Sequence, residues 1–122
     1  MIISDVEYHL VLLPTISASF NDKIKSDLYI IIPDALLQFS GGVKKLTVAR
    51  EEVYVHFSSS PTASPKEMAE TLISETSARL KRVNPELEIY KSVFKDSYFI
   101  KTGAKPTRAQ VKDFIHLSIN GL

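Results

Sequence analysis

Apolar and polar residues alternate over the first segment. Val6, Tyr8, Leu10 and Leu12 fall on one side, Glu7, His9 and Val11 on the other, and Pro14 closes the run. A period of two predicts a strand with one face toward a core. Asn21 or Asp22 can then cap a helix whose Ile24, Leu28, Ile31, Ala35 and Phe39 recur every three or four residues, the spacing of one helical stripe. Pro33 stands inside that stripe and lacks an N–H, so a kink or a break is expected there. The run Ile30-Ile31-Ile32 would also suit a strand. Gly41-Gly42 ends the element.

Two strands follow, Val43 to Ala49 and Val53 to about Ser58, joined by the charged turn Arg50-Glu51-Glu52. Ser64-Pro65-Lys66-Glu67 is the clearest helix start, with Ser at the N-cap, Pro at the first helical position and Glu to complete a capping box. Met68, Leu72, Leu80 and Val83 mark its buried stripe, and Asn84-Pro85 stops it. A further strand is expected from Ser97 to Thr102. Thr107-Arg108-Ala109-Gln110 is a second capping box, opening a last helix with Val111, Phe114, Ile115 and Ile119 apolar.

The order β-α-β-β-α-β with a terminal helix predicts an α+β protein of the ferredoxin-like split βαβ type. Its antiparallel sheet would carry helices on one face, plus a C-terminal helix. With 122 residues and neither repeat nor flexible linker, residues 1–122 are expected to form a single domain. The longest apolar run, Leu28 to Pro33, is far short of the roughly 18 residues a membrane span needs. Asp5 and Glu7 stand where a secretory signal would carry Lys or Arg. A soluble, cytoplasmic chain is therefore expected. The absence of cysteine excludes a disulfide scaffold, a thiol nucleophile, an iron–sulfur cluster and a thiolate zinc site.

A net charge of +1 argues for nothing by itself, but its distribution does. Residues 1–78 hold six Lys/Arg against ten Asp/Glu, whereas residues 79–112 hold nine against three. A basic second half can face a phosphate backbone; an unevenly charged solvated face is the plain alternative.

Candidate chemistry is sparse. Of the three histidines, His9, His56 and His116, only His56 has a suggestive neighbour. Tyr54 and His56 lie two apart on one strand and share a face. Two histidines so placed would make a metal-binding pair, but a neutral phenol is a poor divalent ligand, and His56 alone reads as a hydrogen-bonded sheet residue. Gly41-Gly42 lacks the Lys-Ser/Thr of a phosphate-binding loop, and Ser58-Ser59-Ser60 lacks a nucleophile-elbow frame. Residue types alone support no enzyme.

Taken in order, the segments resemble the single-tyrosine transposases of the HUH class, the insertion-sequence-200-like family. Tyr8-His9-Leu10-Val11 is similar to that family's opening strand, and Leu28-Tyr29 with Gly41-Gly42 to its first helix and exit. Val53-Tyr54-Val55-His56 falls at its Asp-His-hydrophobic-His. Thr76-Ser77-Ala78-Arg79-Leu80 and Asn84-Pro85-Glu86-Leu87 resemble its second helix. Tyr98-Phe99-Ile100-Lys101-Thr102-Gly103 resembles its following strand, and Val111 to Ser118 its last helix.

The resemblance implies a Mg²⁺ or Mn²⁺ ion, a tyrosine that attacks phosphorus, a homodimer, and single-stranded or hairpin DNA as partner. All but one of the matched chemical positions are altered. Tyr54 replaces the first metal-binding His, leaving His56; Phe114 replaces the nucleophilic Tyr; Ser118 replaces a metal-ligating Gln. The expectation is a transposase-like protein without bound metal and catalytically inactive, retaining DNA binding as a homodimer through Arg79, Arg82, Lys101, Lys105 and Arg108. Two other readings stay open: an unrelated ferredoxin-like interaction or ligand-binding module, and an active strand-transferase with a displaced nucleophile, Tyr54 or Tyr98.

Overall fold

The computed structural model describes residues 6–15, 21–39 and 42–119, with the backbone alone for Ser118 and Ile119. Gly41 lies outside them. The elements are β1 (Val6–Pro14), α1 (Asp22–Leu36), β2 (Val43–Val48), β3 (Val53–Ser59), α2 (Pro65–Val83), β4 (Phe94–Thr102) and α3 (Arg108–Ile119). Short 3₁₀ turns, Leu37–Phe39 and Pro85–Ile89, follow α1 and α2. The four strands form one antiparallel sheet in the order β2-β3-β1-β4. The fold is α+β and ferredoxin-like, with β1 in a central position.

Strand parity divides the side chains between two faces. Tyr8, Leu10 and Leu12 of β1 join Val53, Val55 and Phe57 of β3 in the main core, against Ile24, Leu28 and Ile32 of α1 and Met68, Leu72 and Leu80 of α2. The alternation in β1 fails at Val11 and Leu13, and the structure gives the reason. They are buried on the opposite face beneath Val111 of α3, with Phe99, Phe114 and Ile115 packed around them. The sheet therefore carries helices on both faces.

Of the kink or break expected at Pro33, the break does not occur: helix α1 continues to Leu36. The buried stripe is Ile24, Leu28, Ile32, Ala35 and Leu36, with Ile31 only partly covered. A proline inside a helix costs about 3 kcal/mol. Burying Ile32 and Leu36 contributes about 1.5–3 kcal/mol each, so packing outweighs the lost hydrogen bond. Both later helix starts form as expected. Ser64 Oγ accepts from Glu67 N at 3.4 Å, while Thr107 and Gln110 bond reciprocally: Gln110 Oε1 accepts from Thr107 N at 2.9 Å, and Thr107 Oγ1 from Gln110 N at 3.1 Å.

The strand expected from Ser97 begins earlier, at Phe94. Its entry is fixed by Ser77 of α2, whose Oγ accepts the buried Val93 N–H at 2.9 Å and contacts Ser92 Oγ at 3.1 Å. A second lock joins α1 to the end of α2. Asn84 Nδ2 donates to Asp27 Oδ2 at 3.0 Å, and Lys23 Nζ donates to both Asp27 Oδ2 and Asn84 Oδ1. The Asn84 amide, with help from Lys23, holds the Asp27 carboxyl below its ordinary value of 3.8 against the opposing effect of burial. A depressed folded-state pKa stabilises above the unfolded value and is lost as pH falls through the folded one. Urea melts of Asn84→Ala should therefore show a deficit at neutral pH that narrows below about pH 4; an undiminished deficit in acid would assign Asn84 a capping role alone.

Candidate functional site

The sheet face that carries α3 is covered only in part, and beside that helix lies an open groove of about 600 Å³. Its lining includes Glu7, His9, Lys45, Tyr54, His56 and Lys105. Sheet register assembles it. His9 pairs with His56 across β1 and β3 and with Lys101 across β1 and β4, and Lys45 of β2 faces His56. Residues directly opposite in antiparallel strands share a face, so four strands contribute to one surface.

His9 is 3% exposed, and both of its ring nitrogens are engaged. Nε2 lies 2.8 Å from the Gly103 carbonyl and Nδ1 2.7 Å from the Tyr54 hydroxyl. A carbonyl only accepts, so Nε2 donates. In the neutral ring Nδ1 then accepts, and the Tyr54 hydroxyl donates to it. Gly103 has φ of +84°, a left-handed conformation that glycine adopts without steric penalty. Burial raises the Tyr54 pKa above its ordinary 10.0, so the phenol keeps its proton at neutral pH. The Lys105 ammonium stands 5.4 Å from the Tyr54 ring centroid, within cation–π range.

His56 stacks on His9 with centroids 4.2 Å apart and planes 23° from parallel. Its Nε2 donates to Glu7 Oε1 at 2.8 Å, and Lys44 Nζ lies 3.9 Å from the same oxygen.

This donor set does not fit a divalent ion. Imidazole lone pairs lie in the ring plane, so two stacked rings send them out in separate, nearly parallel planes rather than to one point. His9 has no nitrogen to spare, Tyr54 is a neutral phenol, and His56 Nε2 is held by Glu7. Among the described residues, no three of His, Cys, Asp or Glu are grouped to hold a metal. The side chain of Ser118 lies outside the described residues. Phe114 is described, and its ring packs 5.8 Å from that of Phe99.

The five cations expected to bind nucleic acid do not form one patch. Lys101 and Lys105 lie on or beside the groove face, and Arg108 begins α3, bonded to Glu52 Oε1 at 3.2 Å. Arg79 and Arg82 belong to α2, which covers the other face. The Arg79 guanidinium is committed to Asp34 and Glu75, which raise its pKa. Sequence reasoning placed Tyr54 and His56 together but missed His9, Lys45, Glu7 and Gly103. No local pattern reveals them, because they meet only through the register of three strands and the turn after β4.

A ferredoxin-like sheet with a histidine–tyrosine cluster on the face beneath its terminal helix places the protein among α+β domains of the split βαβ type. Comparison of the sequence with known families then narrows the class: the IS200-like transposases match over residues 2–118. The chain belongs to that family. A comparison with curated proteins finds no match. Among solved structures, a candidate transposase from Deinococcus radiodurans R1 is similar, with TM-score 0.83 and 21% identity over 94% of this chain and 92% of that one. A REP-associated tyrosine transposase bound to a REP hairpin is similar with TM-score 0.58 and 8% identity, over 99% of this chain and 72% of that one. No helix among the described residues is long and apolar enough to cross a membrane.

Proposed function

We propose that this chain, as one cytoplasmic domain, binds single-stranded or hairpin DNA as a homodimer and has lost the metal-dependent strand cleavage of its family. The observation that carries this reading is the Tyr54–His9 hydrogen bond. It fills with a hydroxyl–imidazole pair the place where the family resemblance implies a metal-binding histidine. Phe114, at the position of the family's attacking tyrosine, has a ring and no oxygen.

Binding is supported by the charge of the groove face. Lys45, Lys101 and Lys105 have no ion pair among the described residues, so they can meet phosphates without first breaking one. The similar REP-associated transposase holds a hairpin, which makes a hairpin the natural first probe. The dimer is supported by α3, where Phe114 and Ile115 are only half-covered by their own sheet and Leu117 is 48% exposed. Sedimentation should give twice 13.7 kDa at micromolar concentration, and a monomer would remove the dimer from this reading.

Filter binding to a hairpin oligonucleotide across a salt series tests the DNA partner. Affinity should fall steeply with salt. Lys105→Glu should weaken binding of every sequence and reduce the salt slope by about 1, whereas Arg79→Glu should do less because that guanidinium is already engaged. Absence of retention at low salt would end the binding proposal.

A further inference from the structure

With the His9 ring neutral, the Tyr54 hydroxyl donates to His9 Nδ1 at 2.7 Å, while His9 Nε2–H is spent on the Gly103 carbonyl at 2.8 Å. A hydroxyl, an imidazole aimed at it and a third group that fixes the imidazole's tautomer are the parts of an activated oxygen nucleophile. The orienting group here is a backbone carbonyl, which sets the tautomer without adding a charge. Burial makes Tyr54 less acidic than an ordinary phenol. It therefore needs a base to react near neutrality, and the oxygen left after proton transfer is correspondingly more basic and more nucleophilic. Exposed Lys45 and Lys105 line the same groove as Tyr54. Ammonium groups there can meet an anionic phosphorus centre and offset the charge that builds on it.

We propose that Tyr54 is a metal-independent nucleophile toward phosphodiesters, with His9 as its general base. The substrate assignment rests on the reading that the groove takes a DNA strand; the nucleophile itself does not. In the step, Tyr54 Oη attacks phosphorus and a Tyr–O–P bond forms while one P–O bond to a deoxyribose oxygen breaks. The phenolic proton passes to His9 Nδ1, with Nε2–H still on Gly103. The departing deoxyribose oxygen takes a proton from water, and His9 returns its extra proton to solvent. The products are a phosphotyrosine-linked strand and a free hydroxyl end, with no change of oxidation state.

The experiment treats the whole chain, in EDTA, with diisopropyl phosphorofluoridate and maps the phosphorylated peptides. Tyr29 is 47% exposed and has no imidazole partner, so access alone favours it over half-buried Tyr54. Labelling of Tyr54 about tenfold faster than Tyr29 is expected, and His9→Gln should slow it roughly a hundredfold, the lower range of general-base contributions. Because His9→Gln disturbs a buried pair and could fail to fold, the comparison between the two tyrosines of the unaltered chain decides the matter. Labelling of Tyr54 no faster than Tyr29 overturns the proposal. A hairpin oligonucleotide in EDTA should then give a denaturation-resistant adduct that Tyr54→Phe abolishes. Labelled Tyr54 with bound hairpin and no adduct overturns the phosphodiester assignment. Labelled Tyr54 with no hairpin binding sinks the DNA reading and upholds the nucleophile.

Discussion

Mixed with labelled hairpin DNA, the protein will give no covalent adduct that depends on Mg²⁺ or Mn²⁺. Adding either ion over EDTA should leave the yield of any adduct unchanged. The metal route needs an ion that polarises the phosphate and a hydroxyl that attacks it. Phe114 supplies no oxygen, and its ring is turned to Phe99. The stacked His9 and His56 rings do not converge, and both nitrogens of His9 are already bonded. Removing one member of a catalytic unit costs several powers of ten in rate, and on the proposed correspondence with the family the nucleophile and the ligand set have both changed. An adduct that appears only with metal would overturn this account. The converse variant, Tyr54→His with Phe114→Tyr and Ser118→Gln, should bind Mn²⁺ by calorimetry. If it folds and binds none, those three positions do not correspond to the family's site.

The largest stability effect is expected at Phe57. It is 1% exposed on β3, opposite Tyr8 on β1 and Val43 on β2, with its ring 5.8 Å from that of Tyr8. Phe57→Ala should cost about 3–5 kcal/mol, a large part of the roughly 5–15 kcal/mol that holds a domain together. Leu37→Ala, at a side chain 64% exposed, should change stability by less than about 0.5 kcal/mol. Urea denaturation of both variants makes the comparison. Similar midpoints would mean that the core is not centred on the inner strands.

What the sequence made legible follows from the range of the interactions involved. Capping and periodicity are local, so Ser64, Thr107 and the α2 stripe announced their elements, and the order of elements implied the sheet. Pro33 does not end its helix because its penalty is local while the burial of Ile32 and Leu36 that overrides it is tertiary. Tyr54 and His56 were placed on one face because two residues on a strand fix that relation. His9 was not, since its partners come from β3 and from Gly103, 45 and 94 residues away in the chain. The cations were legible as a charged segment but not as surfaces, because α2 packs on one face of the sheet while Lys101 and Lys105 lie on or beside the other.

Gly103 shows how little material can maintain such a cluster. Apart from its chain neighbours, no described residue has an atom within 4 Å of where a Cβ would stand, so space alone would pass alanine as harmless. The constraint is one of handedness: at φ of +84° an L-residue is strained, and relief would turn the carbonyl that fixes the tautomer of His9. The inheritance of the Tyr54–His9 pair thus runs through a residue with no side chain at all, and selection on it would leave a mark that neither volume nor polarity records.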